Sequence, residues 1–435
     1  MTEITRRRAM QLAMSAGAML AMSRASTLFA DATKAAEGGK KIRIGFIGVG
    51  DRGTGLLRVT LRFPDVEIPA ICDINEGNLK RAQDLVEKAH GKRPEGYANG
   101  PHDYRRLLER GDIDAVVIGT PQELHAEMTI DSFKAKKFVG AEVPACTTID
   151  ECWAMVRAAK EHRAGEAGGG YMLLENYIYS DPIMTVQNMA DKGLFGDLTY
   201  GYGSYIHEIR SMRFTKDGQL TWRGRNVLKN RGLVYPTHAI GPVCRWMGVD
   251  GVKDSLQTLV AMDSKPAATK IFAAEKFGES SEPAKIDFEN GDTNQALIRT
   301  KQGRLIEVRY DTSSPRPAGM GEYSLQGTRG AYDSKFGLRH VYLEGRSPAE
   351  KWEPLEKYEA EFRHPYWKQQ ADKAKTTGHG GGDWFVMADF VEAVRSGKSP
   401  IDIYDAVTWT SVRPLSEQSI RSGSKPVEVP NFRQA

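Results

Sequence analysis

The chain has 435 residues, with 60 lysines and arginines against 56 aspartates and glutamates and a formal charge of +4. That length allows two domains of ordinary size, and so small a positive excess gives no electrostatic footing for nucleic acid. Four cysteines (Cys72, Cys146, Cys152, Cys244) make no disulfide framework or zinc spacing, and beyond the first 32 residues no apolar run approaches the roughly 20 residues that span a bilayer.

The first segment reads as a targeting signal. "TRRRAMQL" at residues 5–12 supplies a charged region, Ala13 to Met22 a short apolar one, and Ala30-Asp31-Ala32 a small-x-small cleavage site. An arginine pair after Thr5 points to the twin-arginine route, with Ala9 where that motif usually has Phe. The expectation is a signal peptide over 1–32, a polar leader over 33–41, and a periplasmic or secreted protein. Removing residues 1–32 takes away Arg6, Arg7, Arg8 and Arg24 with Glu3 and Asp31, which lowers the charge to +2. Twin-arginine export carries folded proteins, often with a cofactor inside, so the chain is expected to fold around one before it leaves the cytoplasm.

From residue 42 the pattern is an alternation. "IRIGFIGVG", "VEIPAICD", "IDAVVIGT" and "FVGAEVP" read as buried strands, and "DRGTGLLRVTLRF", "NEGNLKRAQDLVEKAH" and "PQELHAEMTIDSFKAKK" as helices between them. This predicts a parallel sheet with helices on both faces, over residues 42–168. After "YMLLENY" and a helix through Met189 come "LTYGYGSYIHEI", "SLQTLVAMD", "NQALIRT", "LIEVRYDTS", "EYSLQGTRGAYDS" and "RHVYLEG". These strand-like pieces predict a second α/β domain, residues 169–435, on a mostly antiparallel sheet. "DWFVMADFVEAVRSGK" and "IYDAVTWTSVRPLSEQSI" return to the helical period and are expected to pack on one of the sheets.

Gly48-Val49-Gly50-Asp51-Arg52-Gly53 is a GxGxxG run between the first predicted strand and helix. Its glycines permit a tight turn and close backbone approach, and the helix start offers N–H groups to a pyrophosphate. Asp73 closes the second strand 20 residues after Gly53, where a carboxylate accepts hydrogen bonds from an adenosine ribose. The first domain therefore reads as a Rossmann dinucleotide-binding domain. Asp73 would repel a 2′-phosphate, so NAD is favoured over NADP.

Two further motifs carry a resemblance. "GTPQELHAEM" and "GAEVPA", a Thr-Pro with a His five residues on and then Glu-x-Pro, resemble the Gfo/Idh/MocA oxidoreductases. In that family the second motif is usually Glu-Lys-Pro, the Lys often serving in acid/base chemistry. Val143 stands in its place and cannot carry a proton. "YMLLENYIY", "DKGLFGDLTYGYGSYIHEIR", "TWR", "VYPTHAIGPV", "GHGGGDWF" and "PIDIYDAVTWTSVRPLSEQSI" together resemble glycoside hydrolase family 109, from about Ile42 to Pro430. The resemblance implies an NAD-dependent glycosidase of the alpha-N-acetylgalactosaminidase type. It implies NAD contacts from Gly48, Gly50, Arg52, Gly53, Asp73, the stretch Gln122, Glu123, Leu124 and His125, and from Glu142, Val143 and Asn176. It implies sugar contacts from Tyr205, Arg223, Tyr235 and His238, with Tyr179 and His238 in catalysis. Where the family has an Arg-Pro-Tyr whose Tyr touches substrate, this chain has Arg316-Pro317-Ala318, which leaves the sugar open.

Ordinary glycosidases set two carboxylates across the scissile bond, and NAD-dependent ones are an exception. The implied route oxidises the sugar at C3, eliminates across C1 and C2, adds water and reduces again, so the cofactor ends as it began. Such a closed cycle suits an exported enzyme with no NAD supply. His238 is of the right type to move a proton near neutrality, Tyr179 if nearby charge lowers its pKa. Arg223 could hold a polar substituent or enolate charge. His125 could equally pack at a helix start, and His379 could belong to a structural glycine loop. With Asp383 it lacks a third ligand, so no metal is expected. Tyr202, Tyr205 and His207 lie along one strand, so some face away from Tyr205's side. Two alternatives stay open: a glycoside 3-dehydrogenase releasing a 3-keto sugar, and a sugar-binding protein with a structural dinucleotide. Carbohydrate is the expected partner, and a homodimer through the face of the second sheet is common in such families.

Overall fold

The computed structural model describes residues 41–163, 168–317 and 319–434. The expected signal peptide over 1–32, nearly all of the expected leader, and Ala318 lie outside the described residues. Six strands form a parallel sheet: β1 (Ile42–Ile47), β2 (Val66–Cys72), β3 (Glu95–Tyr97), β4 (Ala115–Ile118), β5 (Phe138–Ala141) and β6 (Tyr171–Leu173), in the order β3-β2-β1-β4-β5-β6. β4 and β5 are buried at every position, which is why they read as continuous apolar runs. The order reverses at β1, and the crevice outside the strand ends at that switch point is where doubly wound sheets bind dinucleotides.

The second sheet has nine strands: β7 (Leu198–Ile206), β8 (Leu256–Asp263), β9 (Asn294–Thr300), β10 (Leu305–Asp311), β11 (Tyr323–Gly327), β12 (Gly330–Asp333), β13 (His340–Leu343), β14 (Glu353–Pro354) and β15 (Val427–Glu428). Their order is β14-β13-β12-β11-β7-β10-β9-β8-β15. Every pairing is antiparallel except β7 with β10, so the sheet is mixed around its central strand.

β7 shows how sequence sets the packing. Gly201, Gly203 and Tyr205 share one face of the strand. A Cβ at Gly203 would sit 1.9 Å from the carbonyl oxygen of Ala239, and one at Gly201 would meet Val243 and Met247. The two glycines therefore let the helix Thr237–Met247 lie directly on the strand, and Tyr205 is the first side chain to project past the helix start.

The C-terminal helices do more than cover one sheet. Ile403–Arg421 touches β8 in the second sheet, and β6 and the helix Ile149–His162 in the first. Gly382–Ser396 packs on β1 and on the helix Asp51–Thr60. Beyond Ile403–Arg421, β15 pairs with β8, while the buried Phe432 reaches back to Trp153, 4.6 Å between ring centroids. The helix Ala268–Phe277 was not legible in the sequence, because the groups that cap it are remote. Asp292, 24 residues beyond Ala268, accepts hydrogen bonds from the N–H groups of Ala267 and Ala268. The four cysteines are buried and free, with Cys146 and Cys152 3.2 Å apart at sulfur.

The packing at β7 makes a direct prediction. Gly203→Ala must push the helix Thr237–Met247 off the strand and should lower unfolding stability by about 1–3 kcal/mol. Gly55→Ala, inside the helix Asp51–Thr60 where an added Cβ meets nothing within 4 Å, should instead gain about 0.5–1 kcal/mol. Urea unfolding of the two variants checks both signs.

Candidate active site

The cofactor half begins at the Gly48–Gly53 turn. Gly48 has φ of +82°, and a Cβ at Gly53 would lie 2.0 Å from the Gly48 carbonyl, so neither position accepts a side chain. Gly50 differs, for a Cβ there would meet only Asn78 at 4.0 Å. Open space above Gly50 faces the start of the helix Asp51–Thr60, which no side chain caps. Asp73 accepts the Val49 N–H at 2.8 Å through one oxygen and the Asn75 N–H at 2.8 Å through the other. It pins the turn and keeps lone pairs for a ribose. These features fit NAD.

Below the turn, Arg52 ties three segments together. Its guanidinium donates to Glu142 at 2.7 Å and to Asp383 at 2.8 Å. Burial works against its charge, but the two carboxylates more than offset that and raise its pKa. Asp383 is buried too, and hydrogen bonds from His379 and Arg52 hold its carboxyl well below the usual range. Asn176 donates to Asp383 at 2.9 Å, while its amide oxygen is buried with no hydrogen-bond partner among the described residues. Such an orphaned acceptor suits the carboxamide of a nicotinamide.

The adjacent half centres on His238, in the first turn of the helix Thr237–Met247. Its Nδ1 lies 2.7 and 2.8 Å from the two oxygens of Glu175, a fully buried carboxylate that also accepts the Tyr177 N–H. The acid orients the ring: Nδ1–H donates to it, and Nε2 has no hydrogen-bond partner among the described residues. Rings of Tyr177, Tyr235 and Tyr205 stand 4.5, 5.0 and 5.2 Å from the imidazole. Tyr310, paired with Tyr205 across β10 and β7, extends the stack. Burial pushes the phenols of Tyr177, Tyr205 and Tyr235 well above their ordinary pKa, so they stay protonated. Tyr205 and Tyr235 then form the wall of a cavity of about 80 Å³, completed by Gln122, Arg213, Trp222, Arg223, Asn226 and Tyr310 among others.

The motif residues thus fall into two adjoining groups. Gly48, Gly50, Arg52, Gly53, Asp73, Glu142 and Asn176 surround the turn and its arginine tie. Tyr205, Arg223, Tyr235 and His238 belong to the cavity and its edge, and buried Val143 precedes Pro144 at the end of β5. Gln122 is on the cavity side, its oxygen taken by Arg413 at 2.8 Å. Glu123 is exposed, and Leu124 is half-buried against the core. His125 is buried with both ring nitrogens on carbonyls, Pro144 at 2.8 Å and Thr120 at 2.9 Å, so its ring serves the backbone.

Tyr179 needs a correction. Tyr179 is buried, its hydroxyl donates at 2.6 Å to the half-buried Asp389, which also accepts from Tyr366, and burial pushes the Tyr179 pKa well up. The tyrosine beside His238 is Tyr177. Motif reading also missed Glu175, Asp383 as the anchor of Arg52, and Tyr310. A signal for the first was present: in "YMLLENY" an acid directly follows buried strand residues, where it must find a partner.

Comparison with known proteins bears on the family and the fold. Residues 179–435 match the family model described as glycosyl hydrolase 109, C-terminal domain, and residues 42–165 that of the oxidoreductase family with an NAD-binding Rossmann fold. A glycosyl hydrolase family 109 protein of Stenotrophomonas maltophilia is 36% identical, covering 95% of this chain and 96% of its own. An alpha-N-acetylgalactosaminidase of Tannerella forsythia is 32% identical over 90% of this chain and 86% of its own. Among solved structures, a levoglucosan dehydrogenase in complex with NADH shares the fold, with a TM-score of 0.69 at 19% identity over 90% of this chain and all of its own.

Two predictions follow from the buried charges. Asp383→Asn leaves Arg52 with one counter-charge and weakens the contact to Asn176, so NAD(H) retained through gel filtration should fall severalfold, read by absorbance after denaturation. Burial also pushes the Asp389 carboxyl up to about 6 despite bonds from Tyr179 and Tyr366. The folded state holds this proton more tightly than the unfolded chain, whose aspartate titrates near 3.9. Its contribution is full below about pH 4 and is lost as pH rises through about 6, about 3 kcal/mol in all. Asp389→Asn should flatten that part of the stability profile, measured by urea unfolding from pH 4 to about 7.

Proposed function

The chain belongs to glycoside hydrolase family 109, on the Gfo/Idh/MocA oxidoreductase fold, and from that premise we propose that it hydrolyses a terminal hexosaminide or related hexoside by transient oxidation at C3. It is an enzyme with NAD as its cofactor. The observation that carries the redox route is the absence of Asp and Glu from the cavity wall among the described residues. The nearby acids are committed, Glu175 to His238 and Glu142 and Asp383 to Arg52. No carboxylate pair is free to flank a scissile bond as ordinary hydrolysis requires.

NAD, when bound, supplies a hydride acceptor for C3 and returns the hydride to the same sugar. The protein's part is orientation and proton handling. Arg52, Glu142, Asn176 and Asp383 hold the cofactor end, and the tyrosines present flat faces and hydroxyl donors to the sugar. His238 is the proton acceptor of this reading. A C3 ketone acidifies the C2 proton, Nε2 takes it as the C1–O bond breaks, and the departing oxygen takes a proton from solvent. The imidazolium exchanges its proton with solvent; water then adds at C1 and gives up a proton, and Nε2 delivers a solvent-derived proton to C2. Glu175 steadies the imidazolium formed in between, as a buried carboxylate does for a histidine base. Glu175 and Asn176 are consecutive, so one short segment orients the base and reaches the cofactor cluster. Export as a folded, loaded protein, proposed from residues 5–32, suits a cycle that consumes no NAD.

Turnover of an aryl α-N-acetylgalactosaminide in heavy water should yield free sugar carrying deuterium at C2. Free sugar without that label overturns the elimination route, and a keto sugar as sole product identifies a dehydrogenase. His238→Ala should lower kcat by about 10²–10⁴ while the protein still retains NAD, separating proton transfer from cofactor binding.

A further inference from the structure

The cavity beside His238 is lopsided in charge. Arg213 and Arg223 are in its wall, and among the described residues no carboxylate is. Arg213 is only 3% exposed, and its partners are neutral oxygens: the Thr269 hydroxyl, the Thr312 hydroxyl at 2.7 Å and carbonyl at 3.2 Å, and the Ser313 hydroxyl at 3.0 Å. Asp292 and Glu208 act on it only from a distance. Asp292 caps Ala267 and Ala268, and Glu208 pairs with Arg210 at 2.8 Å. Arg223 stacks over the Trp222 indole at 4.3 Å and makes no ion pair with a described residue.

A third guanidinium stands behind the wall. Arg413 is buried and bonded to the oxygens of Gln122, Asn226 and Val234, again without a carboxylate in contact. Both amide oxygens face Arg413, and the Asn226 amide nitrogen donates to the Gln122 oxygen at 3.2 Å, so the N–H₂ group of Gln122 is what this cluster can offer elsewhere. Burial presses the charged forms of Arg213 and Arg413 down, with too little counter-charge to restore them. An uncompensated buried cation is costly, and a bound anion offsets that cost.

We propose that this cavity is a subsite for an anionic group on the substrate, so that the preferred glycoside carries a carboxylate or a sulfate ester close to the cleaved bond. The assignment rests on the hydrolase reading above and narrows its substrate class. Planar guanidinium forks accept either anion by paired N–H donors. Trp222, beside Arg223, supplies an apolar face for the ring that carries it.

The test has a binding arm and a cleavage arm, both on the NAD-loaded enzyme. Calorimetry with sodium galacturonate and with sodium sulfate reads the subsite alone. Aryl α-glycosides of galactose, N-acetylgalactosamine, galacturonic acid and galactose 6-sulfate read preference. The expected result is binding of at least one anion and a kcat/KM about tenfold or more higher for the matching charged glycoside. That advantage should shrink at high salt. Arg213→Gln and Arg223→Gln should each lower the charged-to-neutral ratio severalfold; the salt series on the unaltered enzyme serves if Arg213→Gln does not fold. Preference for neutral glycosides with no binding of either anion overturns the subsite and leaves the hydrolase reading intact. Cleavage of nothing, with anion binding that the variants abolish, keeps the subsite and sinks the hydrolase reading. The stronger of the galacturonate and sulfate arms identifies the anion.

Discussion

The Arg52 guanidinium sits between Glu142 and Asp383, and the arrangement of both halves of the site depends on that buried triad. Each member comes from a different part of the chain: Arg52 from the first turn of the helix Asp51–Thr60, Glu142 from the residue after β5, and Asp383 from the first turn of the helix Gly382–Ser396. Removing Arg52 strands two carboxylates, and removing either acid leaves the guanidinium with one counter-charge in place of two. The triad therefore acts as a constraint on geometry. It fixes where the first helix starts relative to Asn176.

From that point the site is built by economy of segment. The strand end after β6 delivers Glu175 to the histidine and Asn176 to the triad with no residue between them. Across the cleft, the two glycines of β7 bring the helix Thr237–Met247 down onto the sheet, which sets His238 against Tyr205. Backbone bonds secure the placement, since the Tyr323 hydroxyl donates to the His238 carbonyl at 2.7 Å. The base and the cofactor cluster of the proposed mechanism are thus held by one segment, Glu175-Asn176, and by the helix Thr237–Met247.

Much of this was legible in the amino-acid sequence, for a physical reason. Strands buried on both faces are apolar throughout, and the GxGxxG turn and Asp73 make a local pattern that close approach to a phosphate demands. What could not be read was non-local. Glu175 and His238 are 63 residues apart, and Arg52 and Asp383 are 331 apart, so neither pairing leaves a periodic mark. Tyr179 failed for a finer reason. Tyr177–Tyr179 is a single tight turn, and two residues along such a turn point in different directions, one to the histidine and one to Asp389. The motif selects the turn and not the ring.

The separation of Arg52 from Asp383 also governs how the protein is made. A ribosome delivers the phosphate-binding turn long before the glycine loop, and during synthesis domains form from the N-terminal side. The six-stranded sheet needs β6, which arrives by residue 173, so it can assemble early with a guanidinium still short of one counter-charge. The Arg52–Asp383 tie forms only when residue 383 has emerged, and the sheet edge at β15 and the Phe432 contact later still. A nascent chain therefore passes through a stage at which the first sheet is complete while Arg52 lacks its second counter-charge and the helix Gly382–Ser396 has yet to cover β1.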